Sequence, residues 1–279
     1  MKSAAFQYER PASLEGALQI LSENEGARPM AGNQSLGPML NLRLAEPDLV
    51  VDISRLPELR RIEDSREAIV VGAGVRHADF EDGRVPDVLG GLLARVARGI
   101  AYRAVRNRGT IGGSLAHADP AADWPTIIIA LGATLQVRSV RAERVIPASE
   151  LITGALTTSI SPDELIESIR IPRFDHAARG SYHKISLKPG DFAEAFAAIV
   201  IDPARAEVRA VLSGNGLSPV IMTATGRAFS TGINSNGASV IKEAVRDDLE
   251  AHGFQELPSY ESKLYQTSMV RAALGIANA

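Results

Sequence analysis

The chain has 279 residues and a mass of 29.7 kDa, enough for two or three domains at roughly 100–200 residues each. Apolar residues make up 45% and charged residues 23%, a globular balance with ample core material. The 30 basic and 33 acidic residues leave a net charge of −3, which argues against a protein that lives on nucleic-acid phosphates. The absence of cysteine removes disulfides, thiolate nucleophiles and cysteine-ligated zinc or iron–sulfur clusters from this chain.

Met1 to Pro11 carries Glu9 and Arg10 and has no apolar run, so no signal peptide is read there. Ser13 can cap a helix in which Leu14, Ala17, Leu18 and Leu21 share one face, ending over Asn24 to Gly26. Arg28 to Ala31 then leads into a tight polar loop, Gly32-Asn33-Gln34-Ser35, a short helix over Leu36 to Leu44, and a strand over Leu49 to Ile53. This alternation predicts a small α/β unit.

Past residue 56, Ile62 begins one strand and Ala68 to Ala73 forms the next, joined by a hairpin over Glu63 to Glu67. A helix is predicted over Leu92 to Ala97, then Arg103, Arg106 and Arg108, then the glycine-bearing segment Thr110 to Asp123. Ile127 to Ala133 is the longest apolar run, far short of the roughly 18 residues that cross a bilayer, and has the length of a buried strand or helix segment. Strands are predicted at Thr134 to Val140, Glu143 to Pro147 and Glu164 to Ile171. A boundary over residues 173–180 precedes strands at Tyr182 to Leu187, Ala193 to Ile201 and Ala206 to Leu212. Two helices close the chain. The first places Val240, Ile241, Ala244, Val245 and Leu249 on one face before Gly253, and the second runs from Ser259 to Leu274.

Two glycine-bearing loops stand where a strand gives way to a helix, a place where backbone N–H groups suit phosphate. Gly32 lets the chain turn at any φ, and Asn33 tolerates positive φ next best. Gly112 and Gly113 allow close backbone approach, with hydroxyls from Thr110 and Ser114. Gly72-Ala73-Gly74 lacks the third Rossmann glycine, Gly214-Asn215-Gly216 meets Pro219, and no P-loop exists. His117, Asp119 and Asp123 have no defensible metal spacing, and no catalytic triad or metal centre can be assembled. The chemistry is therefore expected to belong to a bound cofactor.

Met30-Ala31-Gly32-Asn33-Gln34-Ser35-Leu36 resembles the Ala-Gly-Gly-Gln-Ser-Leu signature of the flavin-binding medium subunit of molybdenum hydroxylases. Thr110 to Asp123 resembles that family's second signature almost unaltered, and Lys184 to Ala193 resembles its Lys-x-Ser-Arg-Arg-x-Gly-Asp-Phe-Ala segment. The resemblance spans essentially the whole chain. It implies an α+β fold, with FAD-binding subdomains over residues 1–55 and 56–175 and a C-terminal domain of small antiparallel sheet and helices over 176–279.

It also implies non-covalent FAD lying extended between the first two subdomains. Pro29, Met30, Ala31, Gly32, Asn33, Gln34, Ser35 and Leu36, with Thr110, Ile111, Gly112, Gly113 and Ser114, would surround the diphosphate and adjacent groups. Asp123 would hydrogen-bond the cofactor's polar chain, Ile100 and Ala101 would approach the flavin, and Lys184 would lie near its ring. His117 is the one candidate for a covalent link, and none is expected. Asn33 replaces the usual second glycine, and Leu187 the first arginine of the basic pair.

The implied function is electron transfer from a partner's iron–sulfur clusters through FAD to an external acceptor. Substrate would be oxidised at a molybdopterin centre on a large partner, and [2Fe-2S] clusters would lie on a small one. The expected assembly is a dimer of heterotrimers in the cytoplasm, without nucleic acid or a membrane span. A stand-alone flavin oxidoreductase of the same fold, or a non-catalytic nucleotide-binding scaffold, are the alternatives.

Overall fold

A computed structural model describes residues 2–230, 237–254 and 258–277. The first unit is built on β1 (Gln7–Glu9), α1 (Leu14–Glu23), β2 (Ala27–Met30), α2 (Leu36–Leu42) and β3 (Leu49–Asp52). Its three strands run parallel in the order β1-β3-β2, with Met30 level with Asp52 at their carboxyl ends. The Ser13 hydroxyl accepts the Gly16 N–H at 3.1 Å and caps α1, and Leu14, Ala17, Leu18 and Leu21 are all buried against β2 and β3. Helix α2 stops two residues before the predicted end, because Arg43 turns left-handed at φ 57°.

The second unit contains β4 (Ile62–Asp64), β5 (Ala68–Gly72), α3 (His77–Glu81), α4 (Leu92–Arg98), α5 (Arg103–Arg106), α6 (Ile111–His117) and α7 (Asp123–Ala130). It continues with β6 (Thr134–Arg138), β7 (Glu143–Pro147), a small hairpin of β8 (Ile152–Gly154) and β9 (Thr157–Thr158), and β10 (Leu165–Pro172). The sheet is antiparallel throughout, in the order β4-β5-β10-β6-β7. The apolar run at 127–133 is helical up to Ala130, and every residue of α7 is buried, Trp124 completely.

The third unit is a four-stranded meander, β11 (Arg179–Ile185), β12 (Ala195–Asp202), β13 (Glu207–Gly214) and β14 (Leu217–Ile221). Helices α8 (Thr223–Ser230), α9 (Gly237–Ala251) and α10 (Ser259–Ala277) follow. Strand β12 is apolar on both faces, which the period of two divides between two cores. Phe196, Ala198 and Val200 pack into the core of the second unit, while Ala195, Ala197 and Ile199 pack beneath the C-terminal helices. On α9, Ile241, Ala244, Val245 and Leu249 are buried as expected, but Val240 is exposed. Gly253 turns left-handed two residues after α9 ends, at φ 79°.

Candidate functional site

The first loop leaves the carboxyl end of the parallel sheet, where open α/β sheets receive ligands. Asn33 has φ 60°, as the sequence predicts, but Gly32 does not lie in the left-handed region. Its glycine is required for a different reason. A Cβ there would fall 2.2 Å from the Arg108 carbonyl oxygen and 2.7 Å from the Gly109 Cα, so the first loop rests directly on the chain that enters the second.

Among the described residues, the backbone N–H groups of Gly32, Asn33, Gln34, Ser35 and Leu36 meet no acceptor, and Ser35 caps nothing with its hydroxyl. The Asn33 Oδ1 is buried without a partner, facing Gly37, where a Cβ would lie 2.8 Å away. Gln34 folds back, its side-chain amide donating to the Gly32 carbonyl at 3.0 Å. Such a run of unclaimed donors fits a diphosphate.

The second segment is organised differently from the expectation. Thr110 caps α6, its hydroxyl accepting the Gly113 N–H at 3.1 Å, so both glycines stand in the first helical turn with ordinary φ. The Ile111 N–H bonds the Val75 carbonyl, the Gly112 N–H the Ala73 carbonyl, and the Ser114 N–H the Thr110 carbonyl. Gly112 is small because a Cβ would lie 2.4 Å from that of Ala73. The backbone approach predicted for this loop is thus made to strand β5's end, and the Thr110 N–H and Ser114 hydroxyl are the donors it leaves over. His117 ends α6, partly exposed.

Behind both loops lies a buried ring pair that the sequence gives no periodic signal for. Trp124 donates its indole N–H to His77 Nδ1 at 3.0 Å, leaving Nε2 to carry the proton of the neutral ring. Burial, with the nearby Arg106 charge, lowers the His77 pKa to about 4. The ring lies against Gly109, where a Cβ would be 2.8 Å from it, so His77, Gly109 and Gly32 stack in sequence.

The resemblance implies separate cofactor contacts for Asp123 and Lys184, and the structure joins the two residues to each other. The Lys184 Nζ lies 3.0 and 3.1 Å from the two Asp123 oxygens and 3.3 Å from the Gly99 carbonyl. Their side chains are 6% and 10% exposed, so this pair is shielded from solvent. Burial pushes the Asp123 pKa up to about 6, against the opposing pull of the Lys184 ammonium. Residues Gly99 to Ala101 continue from α4, and Ala101 is left-handed at φ 44°. The Ala101 N–H donates to the Gly190 carbonyl at 2.9 Å, which ties this turn to the segment that follows β11. Tyr182, two residues before Lys184, stacks on Phe196 with ring centroids 5.4 Å apart.

A cavity of about 460 Å³ lies elsewhere, between Asp87–Gly90 and Arg173–Gly180. None of the predicted site residues lines it.

Residues 4–174 match the family described as the FAD binding domain in molybdopterin dehydrogenase. The 6-hydroxypseudooxynicotine dehydrogenase complex subunit alpha of Paenarthrobacter nicotinovorans is 40% identical over 202 residues, covering 72% of this chain and 68% of its own. The carbon monoxide dehydrogenase medium chain of Hydrogenophaga pseudoflava is 36% identical over 197 residues, 70% of this chain and 69% of that one. In structure, carbon monoxide dehydrogenase from Hydrogenophaga pseudoflava superposes with a TM-score of 0.90 at 28% identity, covering 100% of this chain and 99% of that one. Quinoline 2-oxidoreductase from Pseudomonas putida 86 gives 0.87 at 29% identity, with coverage of 100% and 99%. The fold, the paired loops and these matches together show that the chain belongs to the FAD-binding medium subunits of the molybdenum hydroxylase family of dehydrogenases.

Proposed function

We propose that this chain is the flavin station of a three-component molybdenum hydroxylase, taking electrons from iron–sulfur clusters on a small partner and passing them to an external acceptor. FAD, bound without a covalent link, supplies the centre that accepts and releases those electrons. The observation that carries this reading is the run of unclaimed N–H groups from Gly32 to Leu36, pressed against the Arg108–Gly109 backbone.

Pro29 to Leu36 hold the diphosphate from one side, with Thr110 to Ser114 and His117 beside it. Asp123 accepts from the polar chain of the cofactor, and Ile100, Ala101 and Lys184 stand at its flavin end. A chain without cysteine leaves the clusters to another polypeptide. The exposed Tyr102, Leu187 and Phe192, on the two segments joined at Ala101 and Gly190, support a partner surface at that same end. The reading includes a large molybdopterin-binding subunit and a dimer of heterotrimers.

Reconstituting the isolated chain with FAD and assaying aldehydes, purines and N-heterocycles tests it. No substrate turnover is expected, while artificial dyes reoxidise chemically reduced flavin and acid precipitation releases all the yellow colour. Steady turnover by the lone chain would replace this reading with a stand-alone oxidoreductase.

A further inference from the structure

Three successive carbonyls, those of Gly99, Ile100 and Ala101, are each claimed by a cationic side chain. Lys184 donates to the first at 3.3 Å, and the Arg106 Nη1 donates to the second and third at 2.9 and 2.8 Å. The remaining Arg106 donors grip Glu81, Nε to Oε2 at 2.7 Å and Nη2 to Oε1 at 3.1 Å. Arg106 is 10% exposed in its side chain, and Arg103 braces the same Glu81 at 2.9 Å.

Gly190 approaches the same turn so closely that a Cβ would stand 2.6 Å from the Ala101 carbonyl oxygen. Ala101 itself sits at φ 44°, a conformation that an L-residue holds only when its surroundings over-determine it. A buried arginine fork, a lysine and a glycine contact all converge on one short turn. Neither a helix nor a strand needs that expenditure of buried charge.

We propose that Arg106 is a positioning residue that fixes the turn at Ile100 and Ala101 with those two carbonyl oxygens turned away from the flavin, without itself touching the cofactor. The inference rests on the flavin reading above. A carbonyl oxygen is the negative end of its dipole, and a cation that holds it back removes that charge from beside a cofactor that becomes more negative on reduction. Releasing the turn makes the reduced cofactor harder to form.

The test compares Arg106→Gln, Arg106→Lys and Gly190→Ala in the full chain. The readouts are the FAD dissociation constant, the flavin midpoint potential and amide hydrogen exchange at Ala101. Lysine keeps the charge but cannot reproduce a planar fork on two carbonyls and a carboxylate. Gly190→Ala pushes the same turn with every charge kept. All three variants are expected to weaken FAD at least tenfold and to disfavour the reduced cofactor about tenfold, a fall of about 30 mV for a two-electron couple. Exchange at Ala101 should quicken at least tenfold with or without FAD.

A potential that moves in Arg106→Gln alone would mean that only the charge matters, and would overturn the positioning role. Variants that melt earlier yet keep the wild-type potential and Ala101 exchange would make Arg106 a purely structural anchor, with the same consequence. If the wild-type chain takes up no FAD, the flavin reading fails, and the exchange measurement on the cofactor-free chain still decides whether Arg106 holds the turn.

Discussion

Replacing Gly32 by alanine puts the contact between the two loops to the test. Ordinary van der Waals contact begins near 3.4 Å, and the new Cβ would stand 2.2 Å from the Arg108 carbonyl oxygen. One loop must therefore withdraw by about 1.2 Å. Both neighbours are backbone, and Gly109 is itself backed by the buried His77 ring, so no flexible side-chain end can yield. Overpacking costs of this kind run to about 1–3 kcal/mol, and this geometry belongs at the upper end. If the strain is relieved by opening the loops, the loss appears in cofactor affinity, where about 3 kcal/mol corresponds to roughly 150-fold. Isothermal titration of the cofactor-free variant with FAD, alongside a melting curve, measures both parts. A Gly32→Ala chain that binds FAD within a few-fold of wild type at unchanged stability would refute the claim that the loop contact forms the cofactor site.

Asp123→Ala should weaken FAD by 10- to 150-fold, about 1.5–3 kcal/mol for a charged hydrogen bond, and should lower the melting temperature by leaving the Lys184 ammonium buried and alone. Adding Lys184→Met should recover stability but not affinity, and recovery of both would move the site elsewhere. The two shifted groups behind the loops act in opposite directions with pH. His77, whose pKa falls from 6.5 to about 4 on folding, contributes stability that is lost as pH drops below 6.5. Asp123, raised from 3.8 to about 6, adds stability as pH drops below about 6. Between pH 7 and 5 His77→Gln should therefore fare better than the wild type by about 2 kcal/mol in chemical denaturation. A variant that loses as much stability as the wild type on acidification would contradict the assignment.

The amphipathic helix α1, the left-handed Asn33 and the loop pair itself are legible in the sequence, because each is a local rule of cap, period or turn chemistry. The reason for the glycines is not. Gly32 and Gly112 are dictated by neighbours 76 and 39 positions away, Arg108 and Ala73 being reached only once the chain folds, and no spacing rule shows a side chain's absence as a contact. The Arg106–Glu81 fork joins residues 25 apart in short helices that have no periodic signature. Strands β1, β8, β9 and β14 and helices α3, α5 and α8 are missed for the same reason, being short or weakly patterned. The run from Ala195 to Ile201 is legible as a strand, but that its two faces serve different cores follows only from what packs on each side.

The placement of FAD is tested by a crystal structure of the loaded chain. Diphosphate oxygens are expected within hydrogen-bond distance of the backbone N–H groups of Gly32 to Leu36, and the flavin ring beside Ile100, Ala101 and Lys184. A cofactor found instead in the cavity between Asp87–Gly90 and Arg173–Gly180, with the first loop untouched, would contradict it.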